Sequence, residues 1–436
     1  MWRMDACIFD CKFGGMKNQF NIVIIGGGTG GIMTAAQLKR KNKNLSIAIL
    51  EPRTDHYYQP AWTLVGAGTF NFASTRRDEA KMIPPGVEWI RDYATTFEPE
   101  KNRVNTKANG PLTYDYLIIS AGIQNDIEAL PGLKEALETD VVCSNYIDPE
   151  KTFRVLKNFK GGNAVFTQPT TPIRCGGAPQ KIMYMTEDYL RKHSLRDKSN
   201  VIFATPGSVI FGVKVFAETL TEIIRKRKIV FKPFYAPVMI DAKKKEITFR
   251  YVNPNPGPTA YALDTAIGEV ASAPDLITIH YDMLHLAPPQ SAPDFIKQSP
   301  FAYSEGPNKG WLEVDIHTLQ HVKYKNVFGI GDCAALPTAK TGAAIRKQAP
   351  VVVENIHRMM NHQAFSDHQY SGYSSCPIVT GYGQMLLCEF KYDNVWDSDP
   401  FLRKFVDTTK SKWSMWILKK YGLPWLYWNM MMKGRM

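Results

Sequence analysis

Apolar positions in this chain gather in short continuous runs: Ile22-Val23-Ile24-Ile25, then Ile47-Ala48-Ile49-Leu50, then Tyr116-Leu117-Ile118-Ile119. Runs of this length, rich in β-branched residues, predict strands buried on both faces, as in a parallel sheet covered by helices. Residues 32–39 between the first two read as a helix, so 21–125 predicts strand, glycine turn, helix, strand, a long excursion and a returning strand closed by Gly122. A second unit begins near Asn163, with Ala164-Val165-Phe166 as strand, 181–192 as helix and Val201-Ile202-Phe203 as the next strand. Further on, Val327-Phe328-Gly329-Ile330-Gly331-Asp332 predicts a short strand ending in a Gly-Asp turn, with a helix from about Thr341. Strands alternating with helices place the chain in the α/β class.

The two units differ at the turn after their first strand. In the first, Gly26 permits a tight turn, Gly28 lets a pyrophosphate approach the backbone, and Gly31 allows close packing of helix on strand. Glu51 follows twenty positions after Gly31, at the end of the next strand, where an acidic side chain takes a ribose hydroxyl pair. In the second unit the corresponding segment, Thr167-Gln168-Pro169-Thr170-Thr171-Pro172, has no glycine and two prolines, so a pyrophosphate has no such approach. The chain therefore reads as two Rossmann-like dinucleotide-binding domains, the second degenerate. Gly329-Ile330-Gly331-Asp332 favours FAD as the cofactor, since an aspartate at that strand end can accept from a ribityl chain. Taken alone, that tetrapeptide is equally a helix N-cap.

Composition narrows the class. With 44% hydrophobic and 22% charged residues among 436, the chain can build two or three full cores. No apolar stretch reaches the ~18 residues needed to span a bilayer. The formal charge of +12 is uneven: residues 401–436 hold eight basic residues against Asp407. The same tail contains Trp413, Trp416, Trp425 and Trp428, a mixture suited to a membrane interface and equally to a packed terminal helix pair. Gly422 and Pro424 are expected to break it into two short helices. Residues 1–20 contain Asp5 and Asp10 and only three basic residues, a poor signal or transit peptide. No motif accompanies the basic charge that would indicate nucleic acid. Residues 253–274, rich in Pro, Gly and Ala, read as a surface loop.

Seven cysteines without a CxxC pair do not form a secreted disulfide framework. Cys175 lies in Thr171-Pro172-Ile173-Arg174-Cys175-Gly176-Gly177-Ala178-Pro179, ahead of a helix and beside Arg174; the helix end and the cation both favour thiolate. Cys376, in Ser374-Ser375-Cys376-Pro377, reads as a polar turn before the strand Ile378-Val379-Thr380. Either is also a candidate small buried hydrophobe, and a separation of 201 residues does not tell whether they meet. Cys7 and Cys11 belong to the atypical N-terminus, Cys333 and Cys388 read as packed, and Cys143 is ambiguous. His357 and His362, five apart, do not share a helical face, and no metal site is expected.

With these residues the chain resembles the sulfide:quinone oxidoreductases, in particular their mitochondrial branch. The resemblance runs from about Phe20 onward. It is carried by His56-Tyr57-Tyr58-Gln59-Pro60, by 171–184 around Cys175, by Phe328-Gly329-Ile330-Gly331-Asp332-Cys333, by Gly372-Tyr373-Ser374-Ser375-Cys376-Pro377 and by Tyr427-Trp428-Asn429-Met430-Met431. It implies an N-terminal extension at 1–19, an FAD domain from 20–142 and 310–365, a second dinucleotide-fold domain at 143–309 that has lost its nucleotide, and a membrane-interface region at 366–436. It implies Cys175 and Cys376 as a redox-active pair, bridged when oxidised, and Gly26, Gly28, Thr29, Gly30, Glu51, Gln59, Ala94 and Asp332 as FAD contacts. It further implies hydrogen sulfide as electron donor, ubiquinone as acceptor, and glutathione or sulfite as sulfur acceptor. The C-terminal helices would sit on the mitochondrial inner membrane, peripherally or monotopically. The 253–274 loop and the residues Arg346, Lys347 and Pro350 depart from the family pattern. A type II NADH dehydrogenase would need a second glycine turn. A flavin-stabilised membrane or nucleic-acid binding protein would leave the cysteines idle.

Overall fold

The computed structural model describes residues 17–255 and 262–436. Cys7, Cys11 and part of the 253–274 loop lie outside them. The three apolar runs at the start of the chain form the strands Gln19–Ile25, Ile47–Leu50 and Pro111–Ile119, which lie side by side and parallel, Ile24 facing Ile49 on one side and Ile118 on the other. Val87–Ile90 extends this sheet at one edge and Arg103–Thr106 and Ala94–Glu98 at the other. The distant strand Val327–Gly329 also pairs with Pro111–Ile119, in parallel, which returns the chain to the first sheet after two hundred residues. Ile22, Ile24, Leu117 and Ile118 are fully buried, as strands covered on both faces require.

The second unit is a five-stranded parallel sheet in the order Val142–Cys143, Met283–His285, Gly162–Thr167, Ser199–Thr205, Val230–Pro233. A four-stranded antiparallel sheet is inserted into it. Its edge strand, Val270–Ala273, falls within the segment read as a surface loop. The small residues there pair with Leu276–His280, and buried Glu269 just before them holds Lys232 Nζ at 2.8 Å.

Two elements after residue 340 complete the molecule. Helix Gly342–Met360 starts on an N-cap from Thr341, whose side chain accepts from Ala344 N, and it carries Pro350 within its length. A hairpin, Ser374–Gly381 with Gln384–Phe390, packs on helix Ala178–Lys192. The tail does not break at Gly422 and Pro424. Trp413–Ile417 runs through a π-helical turn, Leu418–Gly422, into Leu423–Asn429; Pro424 sits in the first turn of that last segment, where a missing N–H is tolerated. No helix among the described residues is long and apolar enough to cross a membrane.

Candidate active site

The glycine turn opens onto a cavity of about 800 Å³. Gly26 has φ +100°, and a Cβ there would lie 2.4 Å from the Ser120 carbonyl oxygen; a Cβ on Gly31 would lie 1.9 Å from the Gly26 oxygen. Only glycine fits either place. Gly28 differs, for a Cβ there would meet nothing within 4 Å, so its backbone faces open space at the start of helix Thr29–Lys41. That helix begins three residues earlier than its apolar pattern suggested, placing Thr29 and Gly30 in its first turn. Gly26, Gly28, Thr29, Gly30, Glu51, Gln59, Ala94 and Asp332 all line this one cavity.

Several features of the wall suit a flavin dinucleotide. Glu51 is buried, and its carboxylate accepts from Gly27 N at 2.8 Å and from Arg53 N at 2.9 Å and Nε at 3.0 Å. Burial works against its charge, but the Arg53 contacts outweigh it and hold the carboxyl below the ordinary glutamate range. Burial pushes the Asp332 carboxyl above its ordinary value, and the described contacts engage only its backbone oxygen, from Lys340 Nζ at 2.8 Å. Both side-chain amide atoms of Asn145 and Nε1 of Trp62, also on the wall, are buried without a partner among the described residues. Thr341, Gly342 and Ala343 bring in the N-terminus of a nineteen-residue helix.

Cys175 lines this cavity and Cys376 lies behind it, outside the lining, their sulfurs 3.6 Å apart. Three pieces of chain produce the approach. Cys175 adopts φ +54°, a left-handed conformation that a side chain seldom takes and that needs support. Its N–H donates to Lys340 O at 2.7 Å, and its carbonyl accepts from Ala178 N, also at 2.7 Å. Gly177 clears the space, since a Cβ there would lie 2.6 Å from Cys376 Sγ. Cys376 is not in a polar turn: it lies within strand Ser374–Gly381, is buried, and pairs in register with Cys388. Strand alternation turns Ser375 and Pro377 to the cavity and Cys376 away from it, against Cys175. The serines before it made the segment look like a turn, whereas Ser374 is fully buried and shares a hydrogen bond with Thr341 at 2.8 Å.

The cation at the pair is not Arg174 but Lys181, buried in the first turn of helix Ala178–Lys192, whose Nζ donates to Cys175 Sγ at 3.0 Å. The hydrogen bond with Cys376 and, after it, the Lys181 charge outweigh burial and hold the Cys175 thiol well below its ordinary pKa. Cys376 moves the opposite way, its proton held by that same hydrogen bond and by burial. The spacing of Cys175 and Lys181 gave no hint of this. The signal was a lysine in a helical first turn, opposed to the macrodipole and with no acid near it. Among the described residues the other thiols are unsuited to exchange: burial pushes Cys143 up to about 12, Cys333 up to about 11 and Cys388 well above its ordinary value.

The C-terminal helix closes the cavity. Leu418, Leu423 and Leu426 give it an apolar wall together with Pro377, Leu387 and Leu402. Lys419 is buried among them with Nζ donating to Pro60 O at 2.8 Å; burial, and then Lys181, bring its pKa down to about 7. Tyr427 shares hydrogen bonds with Thr29 Oγ1 at 2.8 Å and His56 Nε2 at 2.5 Å, and His56 Nδ1 lies 3.3 Å from Glu79 Oε2. The tail is thereby tied to the first turn of the dinucleotide helix.

A glycine-turn dinucleotide domain, a second parallel domain without that turn, and a thiol pair between them define a pyridine nucleotide-disulphide oxidoreductase, and that family matches residues 20–156. The chain is 42% identical to the mitochondrial sulfide:quinone oxidoreductase of Mus musculus, over 96% of this chain and 87% of that protein. It is 43% identical to its counterpart in Dictyostelium discoideum, with the same coverage. The chain belongs to the sulfide:quinone oxidoreductase family. Its fold is similar to the solved sulfide:quinone oxidoreductase of the bacterium Aquifex aeolicus, with a TM-score of 0.71 at 20% identity, covering 94% of this chain and 91% of that one.

Proposed function

We infer that the chain is an FAD-dependent sulfide:quinone oxidoreductase in which Cys175 and Cys376 carry the sulfur chemistry. The observation that carries this reading is the 3.6 Å thiol pair, with Lys181 at 3.0 Å from Cys175, on the wall of a dinucleotide cavity. In the oxidised enzyme the two sulfurs would be bridged. Hydrosulfide attacks Cys376, forming a Cys376 persulfide as the bridge breaks and Cys175 leaves as thiolate with Lys181 beside it. A small acceptor such as glutathione or sulfite then takes the outer sulfur, leaving two thiols that are re-oxidised to the bridge with loss of two electrons and their protons. FAD, when bound, accepts that electron pair and delivers it to ubiquinone. Gly26, Gly28, Thr29, Gly30, Glu51, Gln59, Ala94 and Asp332 would hold it. Because Cys175 lies between Cys376 and the cavity, Cys175 is assigned to the flavin side and Cys376 to the sulfur. The leucine wall under the C-terminal helix suits an apolar quinone.

The exposed rings of Phe401, Phe405, Trp413, Tyr421 and Trp425 support attachment of the tail to a membrane surface, and a mitochondrial location follows the named relatives, with the inner membrane as the surface proposed. Anaerobic addition of sulfide should bleach the flavin band, and a short-chain ubiquinone should restore it. Bleaching by NADH with indifference to sulfide would reject this reading.

Lys419 gives a pH dependence to the second half of the cycle. With a pKa of about 7 it is a cation below neutrality and a neutral amine above it. Re-oxidation of dithionite-reduced enzyme by a short-chain ubiquinone is expected to slow as pH rises through about 7, because the proton held beside the apolar wall is lost. Lys419→Met should flatten that profile in stopped-flow traces between pH 6 and 8.5. An unchanged inflection in the variant would assign it elsewhere.

A further inference from the structure

A second cavity, of about 580 Å³, opens on the other side of the C-terminal helical segment. Two distant parts of the chain build it. Arg77 and Lys81 come from the excursion of the first domain, and Lys420, Tyr421, Trp425 and Lys433 from the tail. No acidic residue lines it, and none of the four cations makes an ion pair among the described residues. Arg77 lies instead over the Trp428 ring, 4.8 Å from its centroid, and Lys420 over the Tyr421 ring at 5.5 Å.

Four unpaired cations around one groove attract an anion. The rings select further, because Tyr421 and Trp425, 60% and 58% exposed, offer apolar faces that a small hydrated anion would leave uncovered. The complementary ligand carries a phosphate and an apolar chain on the same molecule. The geometry points to a binding site for an anionic phospholipid, its headgroup among Arg77, Lys81, Lys420 and Lys433 and its acyl chain along Tyr421 and Trp425. This goes beyond surface attachment by exposed rings, and it does not depend on the sulfur chemistry.

The position of the site gives it a consequence. Lys420, Tyr421, Pro424 and Trp425 face the groove, while Leu418, Lys419, Leu423 and Leu426 of the same helical segment line the large cavity. One helix is the wall between them, so a lipid held in the groove braces the apolar side of the electron-acceptor pocket.

The test is co-sedimentation of the holoenzyme with vesicles of phosphatidylcholine alone or with one-fifth phosphatidylglycerol, using wild type and the double variant Lys81→Gln/Lys433→Gln. Wild type should prefer the anionic vesicles, and the double variant should lose about fivefold in affinity for them per cation removed, on the order of 25-fold for the pair. Lys81→Arg/Lys433→Arg should retain the preference. All three proteins should keep bound FAD and bleach with sulfide at the same rate, which shows that the fold is intact. Equal binding to both vesicle types, or an undiminished preference in the Gln variant, would overturn the site. Abolition of the preference by millimolar inorganic phosphate at constant ionic strength would make it a free-anion site and overturn the lipid assignment.

Discussion

Cys175→Ser and Cys376→Ser, made singly, are each expected to lower the rate of sulfide-dependent flavin bleaching by about 10³-fold or more while FAD stays bound. The size follows from the chemistry. A serine oxygen neither forms the bridge that hydrosulfide opens nor carries a sulfane sulfur. Retention of FAD follows from the structure, because the glycine turn, Glu51 and the Thr341 helix end lie on other elements and serine fills nearly the volume of cysteine. The two variants should nevertheless differ. Cys376 is buried away from the large cavity, so in Cys175→Ser it is expected to remain slow to alkylate, whereas in Cys376→Ser the Cys175 thiol keeps Lys181 and should alkylate readily at neutral pH. Stopped-flow bleaching and iodoacetamide labelling followed by mass spectrometry measure both effects. Either variant reducing its flavin with sulfide at the wild-type rate would remove the thiol pair from the mechanism.

What was legible in the sequence follows from which forces act locally. Ile22-Val23-Ile24-Ile25 and Gly26 to Gly31 announce themselves because a strand buried on both faces and a turn that admits no Cβ each constrain adjacent residues. The degenerate second turn was visible for the same reason, its prolines being incompatible with a close backbone approach. The thiol pair was legible only as two separate candidates, joined by resemblance, since the chain that brings Cys376 behind Cys175 runs through the return strand Val327–Gly329 and helix Gly342–Met360. Cys376 was misplaced in a turn because Ser374 and Ser375 look solvated; in the fold Ser374 is fully buried against Thr341, a satisfaction supplied by a residue 33 positions away. The tail was misread as two helices because Gly422 and Pro424 are breakers by propensity, and packing of Met415, Trp416 and Tyr427 overrides it with a single π turn. Lys181 and Lys419 are the largest omissions. Both are lysines whose burial is set wholly by tertiary structure; a helical first turn without an acid marks Lys181 as unusual but does not show that it faces a thiol, and nothing in the flanking sequence marks Lys419.

Lys181→Met is expected to lower the sulfide reaction about 100-fold at neutral pH without unfolding the protein. The Lys181 ammonium is buried and 3.0 Å from Cys175 Sγ. Burial opposes its charge, but the two cysteines outweigh this and hold its pKa above the ordinary lysine value. The hydrogen bond with Cys376 and, after it, the Lys181 pairing keep Cys175 below the ordinary thiol value, so removing the cation leaves that hydrogen bond to oppose burial with far less help and the thiol pKa rises. The thiolate fraction at neutral pH falls with it, and taking away one preorganised donor from the sulfur on which negative charge develops costs about 10²-fold in rate. Two measurements separate the consequences. Alkylation of Cys175 in the reduced variant should recover as pH is raised, because base restores the thiolate. The attack of hydrosulfide on the bridged pair should not recover to the same extent, because there Cys175 is the leaving group and its departure depends on the cation being beside it. Methionine is close to lysine in volume, and Cys175 can take up a proton once the cation is gone, so no charge is left buried without a partner and the variant is expected to stay folded. A parallel fall in melting temperature and activity, with no shift in the pH dependence of alkylation, would reduce Lys181 to a packing role and leave the low pKa of Cys175 to its hydrogen bond with Cys376.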